Sequence, residues 1–370
     1  MKKIAVISLS VFLACFIAVI ATLKLVPSFG GEMLGERLDR IVSSEHYFDG
    51  AFFNEERQSS QKMTWDFVHE QFFGEQIRVP PAPLPVIPIG VDMLANQPES
   101  GLRVIWIGHA GTLIEIDGVR LLIDPVFSDY ASPFQFIGPK RFHAAPIALQ
   151  DLQGIHAVVI SHDHYDHLDM DTVVHLASQG TQFFVPLGIG AHLQRWHIPA
   201  AQINELEWWQ EKSFRNLTIV STPNRHYSGR GLSDYKATLW SSWSILGPQH
   251  RVFYSGDTGY SKLFSHIGEK FGPFDLDILK IGSYGPTQSW IDIHMTPEDA
   301  VKVHLDLKGK RLLPVHWATF NLGLHDWDEP IKRALDAANA EGVDIVTPRI
   351  GEVVTVGQPF DSTKWWEAIK

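Results

Sequence analysis

Residues 157–169, AVVISHDHYDHLD, constrain the fold of this chain more than any other stretch. The β-branched run Val158, Val159 and Ile160 reads as a buried strand. His162, His164, Asp166 and His167 then fall within six positions. Beyond Leu168 a polar start and the apolar spacing of Met170, Val173, Val174 and Ala177 predict a helix. Imidazole and carboxylate groups gathered at such a junction suit divalent metals, since imidazole binds zinc well and a carboxylate adds an anionic oxygen. Alternate side chains of a strand share a face, so His162 and His164 are expected to clasp one ion. Asp166 and His167 follow the turn and are expected to face a second. A single histidine among the eighteen present would ordinarily be a surface or satisfied core residue. The signal lies in four such groups ordered as HxHxDH at one strand end.

Cysteine usage narrows the ligands further. Cys15 is the only cysteine, so neither an internal disulfide nor a cysteine-rich zinc site can form within one chain. A metal must be held by histidines and carboxylates. With 370 residues, 45% of them hydrophobic, the chain can bury one large core or two small ones. The net charge of −11 argues against nonspecific nucleic-acid binding, which requires a basic face.

The chain divides into three parts. Residues 1–24 open with Met1-Lys2-Lys3, continue as an uncharged apolar run over 4–23 and end in Lys24. Twenty such residues can span a bilayer as a signal anchor, with the domain outside the cytoplasm. The alternative is a signal peptide, with Val19-Ile20-Ala21 offering a cleavage site. The first reading anchors the protein in an inner membrane with its domain in the periplasm; the second secretes it. Residues 25–100 read as an N-terminal arm. Tyr47, Phe48, Phe52, Phe53, Trp65, Phe67, Phe72 and Phe73 make it aromatic, and VPPAPLPVIP (79–88) reads as a proline-stiffened tether. The aromatics are expected to pack on the main body; a membrane-facing or homodimer-forming surface is the other reading.

Residues 101–370 form the main domain. VIWIG, TLIEID and VRLLID predict three strands turned by signals such as Asp117-Gly118. After residue 157 strands alternate with helices. Helices are expected at 169–178, 188–196, 260–269, 297–306 and 329–341, and strands at 181–186, 217–222, 238–246, 251–255, 276–281 and 311–316. This order predicts two packed sheets with helices outside.

Three further groups stand at strand ends: His226 after LTIVSTP, Asp257 in RVFYSGD, and His316 at the end of RLLPVH. Each alone is a weak signal. With HxHxDH they form the order HxHxDH…H…D…H, which resembles the metallo-β-lactamase superfamily over residues 102–356. The resemblance implies an α/β fold, the metallo-β-lactamase αββα sandwich of two mixed β-sheets with helices on the outer faces. Residues 106–142, FVPLGIG (184–190), ELEWW (205–209), WSSWSILGP (240–248), FYSGDTGY (253–260), KFGPFDL (270–276), HMTPEDAV (294–301) and VHWATF (315–320) further resemble the N-acyl-phosphatidylethanolamine-hydrolysing phospholipase D family.

That resemblance implies two zinc ions, one held by His162, His164 and His226, the other by Asp166, His167 and His316, with Asp257 bridging them. It implies phospholipase D-type hydrolysis of N-acyl-phosphatidylethanolamine or a related phospholipid by a metal-bridging hydroxide, with the membrane as partner. Asp166 and His294 are then the expected catalytic groups, His294 giving the leaving group a proton or clamping phosphate. Tyr165 is expected to contact a phosphoryl oxygen, and His109 and Asp124 to orient ligand histidines from behind. Another hydrolase on the same site, such as a lactonase or soluble phosphodiesterase, is the alternative. A noncatalytic envelope regulator is the third reading.

Overall fold

The computed structural model describes residues 21–59, 65–96, 98 and 100–370. The expected anchor or signal lies outside the described residues, apart from its last few positions. Among the described residues no helix is long and apolar enough to cross a membrane.

Two sheets dominate the fold. Strands β1 (Leu102–Gly108), β2 (Gly111–Ile116), β3 (Val119–Ile123), β4 (Ala157–Val159), β5 (Gln182–Pro186) and β6 (Ile203–Leu206) build the first. Strands β7 (Glu211–Phe214), β8 (Leu217–Thr222), β9 (Ser242–Leu246), β10 (Arg251–Tyr254), β11 (Leu276–Lys280) and β12 (Leu312–Val315) build the second. A last strand, β13 (Val353–Thr355), returns to the first sheet. The seven-stranded sheet runs β13-β1-β2-β3-β4-β5-β6 and the six-stranded sheet β12-β11-β10-β9-β8-β7. Both are mixed. β3 to β6 are parallel, as are β10 to β12, and the rest pair antiparallel.

The two-residue period of a strand explains the layers. Leu102, Val104 and Trp106 of β1 face the inter-sheet core with Trp243, Phe253 and Ile278 of the second sheet. Ile105 and Ile107 point the other way, against Val173, Leu176 and Leu193. Those belong to helices α4 (Met170–Ala177) and α5 (Gly190–Arg195), numbered after α1 (Glu36–Val42), α2 (Trp65–Phe73) and α3 (Val91–Ala95). On the second sheet, α6 (Leu263–Phe271) precedes the short α7 (Gln288–Ile291), α8 (Pro297–Asp306) and α9 (Glu329–Glu341). Burial on both faces is why the first strands are apolar without alternation. The αββα sandwich is therefore the observed architecture.

Most expected elements lie within a few residues of their places. β6, β7 and β13 were not expected, because INEL and EKSF carry little apolar periodicity and β13 pairs across a long sequence separation. The expected strand over 238–246 begins only at Ser242.

The arm lies on the body rather than hanging from it. Arg37 Nε bonds the buried Glu205 carboxylate at 2.8 Å, and the His46 ring stands edge-on to Trp208 at 4.5 Å. Ile41 and Phe52 are buried with Trp208, Leu239 and Trp240. Each such burial contributes about 1.5–3 kcal/mol relative to exposure. ELEWW is thus the arm's dock. The proline-rich segment is also laid down: Ile87 N–H donates to Ile350 O at 2.8 Å and Leu84 is buried. It does not act as a free tether, because its backbone is paired. Phe48, Trp65, Phe72 and Phe73 remain exposed.

Candidate metal centre

Every candidate ligand follows the C-terminal end of a strand, where a loop begins; His294 follows α7. Asp124 follows β3, residues 162–167 follow β4, His226 follows β8, Asp257 follows β10 and His316 follows β12. The strands deliver these loops to one edge of the sandwich, as open α/β sheets generally do at ligand sites. β4 stops at Val159, so His162 and His164 do not share a strand face as expected. Their convergence comes instead from a turn, in which His164 O accepts from His167 N–H (3.1 Å) and Leu168 N–H (2.8 Å).

Two candidate ligand groups result. In the first, His162 Nε2 lies 2.8 Å and His226 Nε2 3.4 Å from His164 Nδ1. In the second, His316 Nε2 lies 3.2 Å from His167 Nε2, and each is 3.4 Å from Asp166 Oδ2. Asp257 stands between them. Its Oδ2 is 3.4 Å from His167 Nε2 and 3.9 Å from His226 Nε2, and its Oδ1 is 3.0 Å from His316 Nε2. The loop that presents Asp257 requires glycine at 256. Gly256 has φ +58°, and a Cβ there would meet Ser161 Cβ at 2.8 Å and Ser241 O at 2.9 Å.

The donor set fits divalent cations. Imidazole nitrogens turned toward one another cannot all donate hydrogen bonds, and their lone pairs converge where a cation would sit. Asp257 Oδ1 and His294 Nδ1 are buried with no hydrogen-bond partner. The electrostatics of the buried cluster agree. Burial opposes charge on His167, yet Asp257, Asp166 and Asp124 hold its imidazole well above the ordinary value. Burial likewise works against ionised Asp166 and Asp257, but surrounding imidazoles hold both well below the usual carboxylate range. A buried cluster this rich in anions is stabilised by positive charge.

Side chains behind the groups set their orientation. Asp124 is fully buried and accepts from His167 Nδ1 (2.6 Å), Ser161 N–H (2.7 Å) and the Tyr254 hydroxyl (2.5 Å). These bonds fix the His167 ring in place. His109 differs in detail. Burial, then His316, lower its pKa to about 3, so the neutral ring donates Nε2–H to Asp166 at 2.8 Å. Its ring also lies 3.9 Å from that of His316. It therefore braces a carboxylate as well as a histidine.

His294 reaches the site, with Nδ1 3.6 Å from Asp257 Oδ2 and a side chain 13% exposed. It does not cap α8; Thr296 and Asp299 form that capping box. Tyr165 departs from expectation. Its hydroxyl donates to Arg230 O at 2.9 Å and its ring lies under the Arg230 guanidinium at 4.0 Å, so the phosphoryl contact expected of it is not available from this position. Tyr227, which sequence reading passed over, is nearer: its ring stands 4.6 Å from His164 and 4.8 Å from His226. Its place directly after His226 was the available signal.

Asp163 was also missed, although it sits inside HxHxDH. It accepts from Gly229 N–H (2.7 Å) and Thr238 Oγ1 (2.9 Å), holding the loop that follows His226. Lys280 ends β11 buried, its pKa lowered to about 8 by burial, with Nζ donating to Gly282 O at 2.7 Å. Beside His316 a shallow, open cleft is lined by Arg78, Phe142, Ser283, Phe320 and His325.

Comparison with known proteins agrees with this geometry. A family profile described as a beta-lactamase superfamily domain matches residues 119–317. An uncharacterized protein of Mycobacterium tuberculosis is 45% identical over 341 residues, covering 88% of this chain and 89% of that protein. An N-acyl-phosphatidylethanolamine-hydrolyzing phospholipase D of Caenorhabditis elegans is 37% identical over 270 residues, covering 69% of this chain and 76% of its own length. Among solved structures, Igni18, a metallo hydrolase of the archaeon Ignicoccus hospitalis, superposes with a TM-score of 0.55 at 22% identity, over 70% of this chain and 99% of that one. The last similarity concerns the fold.

Proposed function

This chain belongs to the beta-lactamase superfamily and has the fold of its metal-dependent hydrolases, and from that premise we propose that it is a zinc-dependent phosphodiesterase that cleaves N-acyl-phosphatidylethanolamine, or a related phospholipid, in the manner of a phospholipase D. The observation that carries the reading is the meeting of two candidate ligand groups beside Asp257 in a chain 37% identical over 270 residues to the nematode phospholipase.

The residues divide the work. His162, His164 and His226 would hold one zinc, Asp166, His167 and His316 the other, with Asp257 serving both. Two such cations supply Lewis acidity and lower the pKa of bound water from about 15.7 toward about 7. The chain's own groups do the rest. Asp124, Asp166 and Asp257 alone would repel an anionic phosphodiester, so the site accepts that substrate only with its positive charges in place. His294, part-exposed beside Asp257, is positioned to give a proton to the leaving alkoxide or to hold a phosphoryl oxygen. The cleft beside His316 offers Phe142 and Phe320 to an apolar substituent and Arg78 to an anionic one.

A lipid substrate makes a membrane the working surface. Two routes lead there: an anchor retained in the inner membrane with the domain in the periplasm, or secretion after cleavage. The exposed aromatics of α2 suit lipid contact, with homodimer formation as their competing use. The decisive experiment couples metal analysis of the purified chain to a lipid panel read by mass spectrometry. About two zinc ions per chain and release of N-acylethanolamine are expected. Turnover of a lactone or a soluble phosphodiester instead would sink the lipid assignment. An intact, metal-loaded chain that turns over nothing would point to an envelope regulator.

A further inference from the structure

Residues 54–59 of the arm lie outside the matched domain and outside every motif read from the sequence. They nevertheless touch three loops of the centre at once. Asn54 Nδ2 donates to His226 O at 2.9 Å, and Asn54 Oδ1 accepts from His226 N–H at 3.0 Å. Gln58 Nε2 gives the same carbonyl a second bond at 3.1 Å. Glu56 Oε1 accepts from Ser261 Oγ (2.9 Å) and Lys262 N–H (3.0 Å), on the loop after Asp257. Ser59 N–H donates to Asp292 Oδ2 at 2.6 Å, on the loop that carries His294. Ile293 O of that loop in turn meets His226 Nδ1 at 3.0 Å.

The Asn54 contact resembles a rung of a sheet. His226 lies beyond the end of β8, and among the described residues its N–H and C=O have no backbone partner. One carboxamide supplies both missing bonds. Its orientation is determined, because Oδ1 also accepts from Trp240 Nε1 at 2.9 Å and an indole can only donate. His226, Asp257 and His294 are themselves close enough to share a ligand point. The six arm residues therefore hold the loops that bring these three together.

We propose that Asn54 is a positioning residue for the metal centre, and that segment 54–59 is a clasp through which the arm sets His226 in the first ligand group. The inference rests on the metal reading above. It makes the arm a working part of the hydrolase rather than an accessory to it. The arm has other moorings, at Glu205, Trp208 and Ile350, so removing the Asn54 amide leaves it docked.

The test is a titration of the full-length chain with Zn²⁺ against a chromophoric chelator, and with Co²⁺ followed by its visible absorption, alongside thermal unfolding. Asn54→Ala should weaken the cation position served by His226 about 10–100-fold, as loss of ligand-orienting groups generally does, and leave the other position unchanged. Gln58→Ala should act the same way but less, and remains informative if Asn54→Ala does not fold. Arg37→Ala, which loosens the arm at Glu205, should lower Tm without separating the two positions. Folded variants that bind both ions like the wild type would overturn the clasp. So would a parallel loss at both positions that merely tracks Tm, as for Arg37→Ala. A wild-type chain that takes up no metal would overturn the metal reading and the clasp with it; a clasp failure alone leaves wild-type binding intact.

Discussion

The two ligand groups are built from similar side chains but braced in different ways. Asp166, His167 and His316 are backed from inside the sandwich: Asp124 holds His167, Tyr254 and Ser161 hold Asp124, and His109 holds Asp166 while lying against His316. His162, His164 and His226 are backed largely from outside it. Ser161 Oγ meets His162 Nδ1 at 2.9 Å, but His226 depends on Ile293 O of one loop and on Asn54 of the arm. The first kind of support is made by strand ends that the core already fixes. The second needs long connections to arrive and stay in place. If both groups bind metal, one position is rooted in the core and the other, on the clasp proposal, depends on the arm.

The largest effect should come from the residue the groups share. Asp257→Asn removes an anionic oxygen from both, and hydrolysis should fall by roughly 100-fold or more, beyond the loss typical of an outer partner. If steady-state rates and metal content barely change, the two groups do not form one centre.

Asp124→Ala tests the inner bracing. It strands His167, Ser161 and Tyr254 in a dry interior, and breaking such a buried pair costs about 3–5 kcal/mol. Urea unfolding should show that loss, and Co²⁺ titration should show the second position weakened first. Equal weakening of both positions would erase the contrast drawn above.

Asp277 offers a control outside both groups. Burial raises its pKa to about 6, offset in part by His304 Nδ1 at 2.7 Å. A raised folded-state pKa stabilises the fold below the unfolded value, and that contribution is lost as pH rises through about 6. Relative to Asp277→Asn, the wild type should lose up to about 3 kcal/mol between pH near 4 and pH above 6. Asp166 and Asp257 carry the opposite sign. Their pKa values are depressed, so their contribution is present above the usual carboxylate range and lost as pH falls below it. Unfolding free energies across this range would separate the two behaviours; a flat wild-type-minus-variant difference would refute the assignment for Asp277.

Metal removal is expected to cost about 2.7 kcal/mol for each zinc position, relative to free zinc at a hundred times its Kd. Tm should drop on chelation and return on adding Zn²⁺. The smallest effect belongs to Tyr165→Phe. It deletes one hydrogen bond to Arg230 O, worth about 1 kcal/mol, and should leave turnover unchanged. A large loss of rate would return Tyr165 to the substrate side.

The legible part of the site was its local and strand-end chemistry. Four groups in HxHxDH, and His226, Asp257 and His316 at strand ends, stand out because apolar runs announce the strands before them. Asp124 was legible for the same reason, following VRLLI. Asn54, Tyr227 and the turn of Tyr165 toward Arg230 were not, since nothing in a local pattern says which carbonyl a distant amide will meet. The arm shows this most clearly. Its aromatics and prolines are visible in sequence, but only packing distinguishes buried Phe52 from exposed Phe48.

Sequence alone thus determined the layers, the ligand types and their order, because side-chain period and ligand chemistry are properties of neighbouring residues. Tertiary structure alone decided that His109 bonds Asp166, that Tyr165 turns toward Arg230, and that the arm reaches His226. Those relations join residues distant in sequence, 172 positions apart for Asn54 and His226, and only the folded chain sets such distances.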